Sequence, residues 1–172
     1  MNSVSQIKTQ TKEISCVTLI KHAHCVGQSN FHLQFTPAYR KKVFYLQEIR
    51  DACRKYFKEK ANQLGLVLFS VEFGPDHAHL FVGNCMKCDV PFLAHELKGG
   101  SSYFLRKFYS DIIKPFLWGS KFWSAGYFYE GVGNVTSPSI KYYIERQQGK
   151  HWSEDELSIL RRAKDPYQTT LV

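Results

Sequence analysis

The 172-residue chain has no run approaching the ~18 consecutive apolar residues of a membrane span, which excludes a transmembrane helix. Residues 1–13 are polar and lack the apolar core of a secretory signal. The five cysteines are an odd number, so a disulfide framework is not expected. Together these absences predict a reduced, cytoplasmic protein. Neither an internal repeat nor a low-complexity block interrupts the chain, which argues against solenoids and disordered tails as its main architecture. Acidic residues are also in deficit: 15 Asp and Glu face 23 Lys and Arg, leaving a formal charge of +8.

What is present is apolar and aromatic. Hydrophobic residues make up 44% of the chain and aromatics 15%, enough for a sizeable core without disulfide support. The positive excess calls for an acidic partner, nucleic acid before a membrane surface. Basic charge with many aromatic rings suits single-stranded nucleic acid, whose phosphates pair with cations and whose bases stack. A basic protein with an aromatic-rich core has the same composition. At ~150 residues per domain the chain holds one domain. Its expected bounds are residues 30–149, with an N-terminal extension over 1–29 and a tail over 150–172. Ser153 and Glu156 form a capping-box signature in that tail, which would carry one helix.

Periodicity predicts the elements in the order β-α-β-β-α-β-α. The first strand runs from Asn30 to Thr36, before Pro37. Leu46, Ile49, Cys53, Tyr56, Phe57 and Leu64 recur at helical spacing over 45–64, and Gly65 suits the stop. Two apolar runs, Leu66–Phe73 and His77–Val82, flank Gly74-Pro75-Asp76 and read as a hairpin. A second helix covers 92–109 across Gly99-Gly100, a strand covers Ala125–Val132, and a last helix covers 138–148 behind Ser137 and Pro138. This predicts an α+β fold of ferredoxin-like or RRM-like type, an antiparallel sheet covered by helices on one face.

Two short features carry chemistry. In Asp76-His77-Ala78-His79, strand geometry puts both imidazoles on one face and Ala78, Leu80 and Val82 on the other. Two histidines ~7 Å apart along an exposed sheet face can chelate one metal. A second His-x-His, His22-Ala23-His24, lies in no expected strand. On the last helix Tyr143 and Gln147 are four residues apart and so neighbours on one face. A tyrosine can attack phosphorus, and a Gln amide oxygen can bind a metal. His77, His79 and Gln147 would supply three neutral ligands suited to Mg2+ or Mn2+, although imidazole also takes Zn2+. Forming a phenolate at pH 7 from a pKa of ~10 costs about 4 kcal/mol, which metal, nearby cations or a base must offset. Tyr142 is the rival nucleophile, rotated ~100° and paired with Arg146 instead of an amide.

Cys85-Met86-Lys87-Cys88 is one CxxC with no second pair, so free cysteines compete with a mixed zinc site completed by His22, His24 and Cys25. Arg40, Lys41, Lys42, Lys98, Arg106 and Lys107 are the candidate phosphate contacts. Gly99 and Gly100 would let a backbone approach DNA closely, or are a tolerated helix irregularity.

The residues resemble the single-tyrosine HUH transposases, the small insertion-sequence enzymes called TnpA. Asp76-His77-Ala78-His79 fits the His-hydrophobic-His name, and Ile140-Lys141-Tyr142-Tyr143-Ile144-Glu145-Arg146-Gln147-Gln148 looks like the nucleophile helix. Pro37–Phe44, Leu97–Ser102 and Leu117–Trp123 fit in the same order. The resemblance implies that Tyr143 forms a 5′-phosphotyrosine and leaves a 3′-OH, with His77, His79 and Gln147 holding the metal. It further implies a homodimer, with active sites assembled in cis or in trans, that acts on single-stranded DNA with hairpins near the element ends. A non-catalytic RRM-like nucleic-acid-binding protein and a related HUH nicking enzyme remain the alternatives.

Overall fold

The computed structural model describes residues 20–22 and 24–133. The expected helix at 138–148, with Tyr142, Tyr143 and Gln147, and the tail at 150–172 lie outside the described residues. So do residues 1–19 of the N-terminal extension.

The first element was not expected. Strands β1 (Ile20–His22) and β2 (Cys25–Gly27) pair as a short antiparallel hairpin, with His22 opposite Cys25. Three-residue strands are too short for alternation to show. The remaining order is the expected one. Strand β3 (Asn30–Phe35) leads through single 3-10 turns at Ala38–Arg40 and Val43–Tyr45 into helix α1 (Gln47–Gln63). Ile49, Ala52, Cys53, Phe57 and Ala61 form the buried stripe of α1, and Gly65 follows at φ +68°. Strands β4 (Val67–Gly74) and β5 (His77–Gly83) form the hairpin, joined by Pro75-Asp76.

Helix α2 (Val90–Ala94) begins at Asp89, whose side chain accepts a hydrogen bond from the Phe92 N–H at 2.7 Å. It continues through a π-helical turn (His95–Gly99) into α3 (Gly100–Phe108) and the short α4 (Ser110–Ile113). The irregularity expected at Gly99-Gly100 is therefore a widened turn in a continuous helical path. Gly100 serves helix packing: a Cβ there would lie 1.6 Å from the Tyr56 hydroxyl of α1. Strand β6 (Phe128–Val132) closes the sheet.

The main sheet has the order β4-β5-β3-β6, and every neighbouring pair is antiparallel. This is the split β-α-β arrangement, with β3 and β5 central. Leu33, Phe35, Val71, Phe73, Ala78, Leu80 and Val82 from the sheet meet Phe57 of α1 and Leu93, Leu97 and Leu105 of the second helical run in one core. Helices thus cover one face, as expected. Beneath them Phe35, Phe44, Phe57, Phe122 and Trp123 form an aromatic cluster, and the Trp123 indole donates to Ser101 Oγ at 2.8 Å. Each buried Phe or Leu contributes ~1.5–3 kcal/mol of apolar transfer. That core fixes the sheet against its helices, and the opposite face carries His32, His77 and His79 beside Phe81 and Phe128.

Candidate active site

Strand β5 sorts its side chains as the alternation requires. Ala78, Leu80 and Val82 enter the core, and His77 and His79 face the opposite side. One expectation needs correction: that side is not open. His77 is 9% exposed and His79 8%. The reason is position, because β5 is an interior strand between β4 and β3 and its neighbours supply side chains to the same face. Glu72 of β4 and Gln34 of β3 stand opposite His79.

The two imidazoles lie at right angles with centroids 4.9 Å apart. Each is held through Nδ1. His77 Nδ1 donates to Asp76 Oδ1 at 2.7 Å, which fixes the proton on that nitrogen because a carboxylate only accepts. His79 Nδ1 lies 2.7 Å from His32 Nε2, with the two rings stacked at 16°. His32 Nδ1 in turn lies 4.0 Å from Glu130 Oε2 on β6. Burial lowers the His32 pKa, and the Glu130 charge opposes that shift. Asp76 also accepts from Arg40 Nε at 2.9 Å. Burial alone would raise the Asp76 carboxyl, but the hydrogen bonds from His77 and Arg40, with the Arg40 charge, outweigh it and hold it below its usual value.

His32 and Glu130 were assigned no role by sequence reasoning. Their signal is cross-strand register: His32 faces Glu130 on β6 and is a diagonal neighbour of His79 on β5. Neither relation can be read before the strands are paired.

The candidate cations separate into two groups. Arg40, Lys41 and Lys42 are exposed on one loop, and Arg40 ties that loop to Asp76 and so to His77. Lys107 is exposed on α3, its ammonium over the rings of Tyr103 and Phe108. Lys98 and Arg106 each donate to two main-chain carbonyls. Lys98 Nζ donates to Ala125 O and Gly126 O at 2.9 and 2.8 Å, and burial lowers its pKa. Arg106 donates to Leu117 O and Lys121 O at 2.6 and 2.7 Å. Cys85 is buried, and that burial pushes its thiol up to about 12.

The loop carrying Arg40 is strained. Tyr39 and Arg40 both hold positive φ, at 58° and 51°, a region that costs a non-glycine residue ~1–3 kcal/mol. Such a cost persists where the surroundings over-determine the conformation, here by Arg40–Asp76 pairing and a bridge from Pro37 to Trp123.

Two buried imidazoles on a strand, each steadied from behind, in a split β-α-β sheet narrow the choice of relatives. A family model described as "Transposase IS200 like" matches residues 25–147. The chain belongs to the IS200-like transposase family. The ISDra2 transposase TnpA of Deinococcus radiodurans is 31% identical over 125 residues, covering 73% of this chain and 88% of that protein. The transposase for insertion sequence element IS200 of Salmonella typhimurium is 28% identical over 137 residues, covering 80% of this chain and 88% of that protein. A crystal structure of a Deinococcus radiodurans protein described as a transposase superposes with a TM-score of 0.61 at 29% identity. It covers 75% of this chain and 98% of that one. This IS200-like chain is therefore a DNA transposase with a four-stranded antiparallel sheet and helices. Among its described residues no helix is long and apolar enough to cross a membrane.

Proposed function

We propose that this transposase cleaves and rejoins single-stranded DNA through a covalent bond to Tyr143, with His77, His79 and Gln147 holding a divalent Mg2+ or Mn2+. The observation that carries the reading is the His77–His79 pair, steadied through Nδ1 by Asp76 and His32. The donor set fits such an ion. The two rings stand together on one face, with centroids 4.9 Å apart, and two imidazoles with an amide oxygen are donors that such an ion accepts. A histidine whose Nδ1 is engaged by a carboxylate or another acceptor presents Nε2 as the ligand, with its orientation fixed. The ion, when bound, would act as a Lewis acid on the scissile phosphate.

The rest falls to the chain. Tyr143 Oη forms a bond to phosphorus as the bond to the 3′ oxygen breaks. The tyrosine proton leaves and the departing oxygen ends as a 3′-OH. The 5′-phosphotyrosine keeps the bond energy for rejoining. Arg40, Lys41, Lys42 and Lys107 would meet phosphates, while Lys98 and Arg106 hold carbonyls of the 117–126 segment. A homodimer and hairpins near the element ends complete the reading.

The test is covalent capture. The protein is incubated with single-stranded oligonucleotides from the element ends and Mn2+ or Mg2+, then run on a denaturing gel. The expected adduct needs the metal, disappears in Tyr143→Phe and persists in Tyr142→Phe. An adduct that survives Tyr143→Phe overturns the assignment of the nucleophile.

A further inference from the structure

Two exposed aromatic rings stand outside the core and outside the histidine face. Tyr39 is 72% exposed and Trp118 79%. Their rings stack on each other at 15°, with centroids 5.9 Å apart. Burial does not explain the pair, because both side chains remain mainly in solvent. Tyr39 is moreover held in left-handed backbone, so the ring is presented at a conformational cost.

The two loops that carry the rings are joined. Ser124 N–H donates to Thr36 O, Ala38 N–H donates to Phe122 O, both at 2.9 Å, and Pro37 bridges Trp123. Neither Pro37–Lys42 nor Leu117–Ser124 contains an acidic residue, whereas Arg40, Lys41, Lys42 and Lys121 are exposed on them. Each ring is thus followed within three residues of the chain by exposed cations. An unpaired nucleobase with its flanking phosphates has the complementary chemistry, flat and apolar in the ring and anionic on either side. A protein partner would offer no reason for a parallel pair of rings among cations, and a closed duplex hides its bases.

We propose that Tyr39 and Trp118 form a stacking platform for an unpaired base of the DNA strand, with Arg40, Lys41, Lys42 and Lys121 on the adjoining phosphates. The platform sits beside the histidine pair through a short path: Arg40 follows Tyr39 in the chain, Arg40 donates to Asp76, and His77 donates to the same carboxylate. A base stacked on the rings therefore sets where the next part of the strand runs relative to the histidines. This rests on the single-strand reading given above and assigns it a site of base contact.

The experiment is fluorescence-anisotropy titration of the full chain with three labelled probes of equal length: oligothymidylate, an abasic strand and a duplex. Base stacking on an aromatic ring changes affinity by about 5- to 100-fold when the ring is removed. Tyr39→Ala and Trp118→Ala are each expected to weaken oligothymidylate binding by that factor, with Tyr39→Phe and Trp118→Phe within about threefold of the parent chain. The same alanine variants should bind the abasic strand and the duplex as the parent does. Trp118 fluorescence should be quenched by oligothymidylate and not by the abasic strand, measured against a Trp118→Phe control. Equal loss on the abasic strand, or unchanged oligothymidylate binding, overturns the platform while leaving the single-strand reading intact. Failure of the parent chain to bind either single strand overturns both.

Discussion

His77 lies against the backbone of Gly74, its direct partner across the hairpin. A Cβ at position 74 would sit 2.3 Å from Cε1 and 2.5 Å from Nε2 of the imidazole, so only glycine leaves the ring where Asp76 holds it. Gly74→Ala is expected to fold and yet to lower Mn2+ affinity by about 10- to 100-fold, the scale of losing a group that orients a ligand. Electron paramagnetic resonance of the Mn2+ titration reads this directly. His32→Ala should fall in the same range, with His32→Gln recovering part of it through a retained hydrogen bond to His79. Unchanged Mn2+ affinity in both would leave these residues a packing role alone. At this scale the sequence was informative for half of the arrangement. The spacing of His77 and His79 was visible because both stand on one strand. His32 was not, because its contact with His79 joins residues 47 positions apart and exists only after β3 and β5 pair in register.

Elements were legible in proportion to their length. Helix α1, with a buried stripe repeated over four turns, and the β4–β5 hairpin, with its two-residue link, were both expected within a residue or two. The β1–β2 hairpin was not, since three residues cannot display a period. Two of the candidate cations also have partners inside the fold. Lys98 and Arg106 read as surface cations on a helix, but each caps carbonyls of the 117–126 segment and fixes the path into β6. A different pair links elements by charge: Lys60 of α1 donates to Glu96 of the π-helical turn at 3.2 Å. The hydrogen bond from Lys60, followed by that from His95, lowers the Glu96 carboxyl below its ordinary 4.5. A lowered folded-state value means stability that is present above the unfolded value and is lost as pH falls through the folded one. The stability difference between parent and Glu96→Gln, followed by urea melts, should therefore be constant near neutrality and shrink below pH 4.5. A difference unchanged down to pH 3 would remove the ion pair from the account.

Over the whole molecule the formal charge of +8 governs the encounter with DNA. Affinity for a single strand should fall with salt on a log–log slope of about −0.7 per phosphate neutralised. Lys41→Ala, on the exposed loop, is expected to reduce that slope by about 0.7, whereas a residue whose donors rest on carbonyls, such as Arg106, should leave it unchanged. Anisotropy at four or five salt concentrations decides between these outcomes.

The link Pro75-Asp76 has a consequence for how this gene can vary. It sets Gly74 opposite His77, and β5 keeps that register as far as Phe81 opposite Ser70. Adding one codon in the turn would rotate the strand by half its period and send both imidazoles into the places of Ala78 and Leu80, and deleting one would send His79 into the place of Ala78. Folding and chemistry would be lost in the same event, so lineages should tolerate substitutions along this hairpin far better than any change in its length.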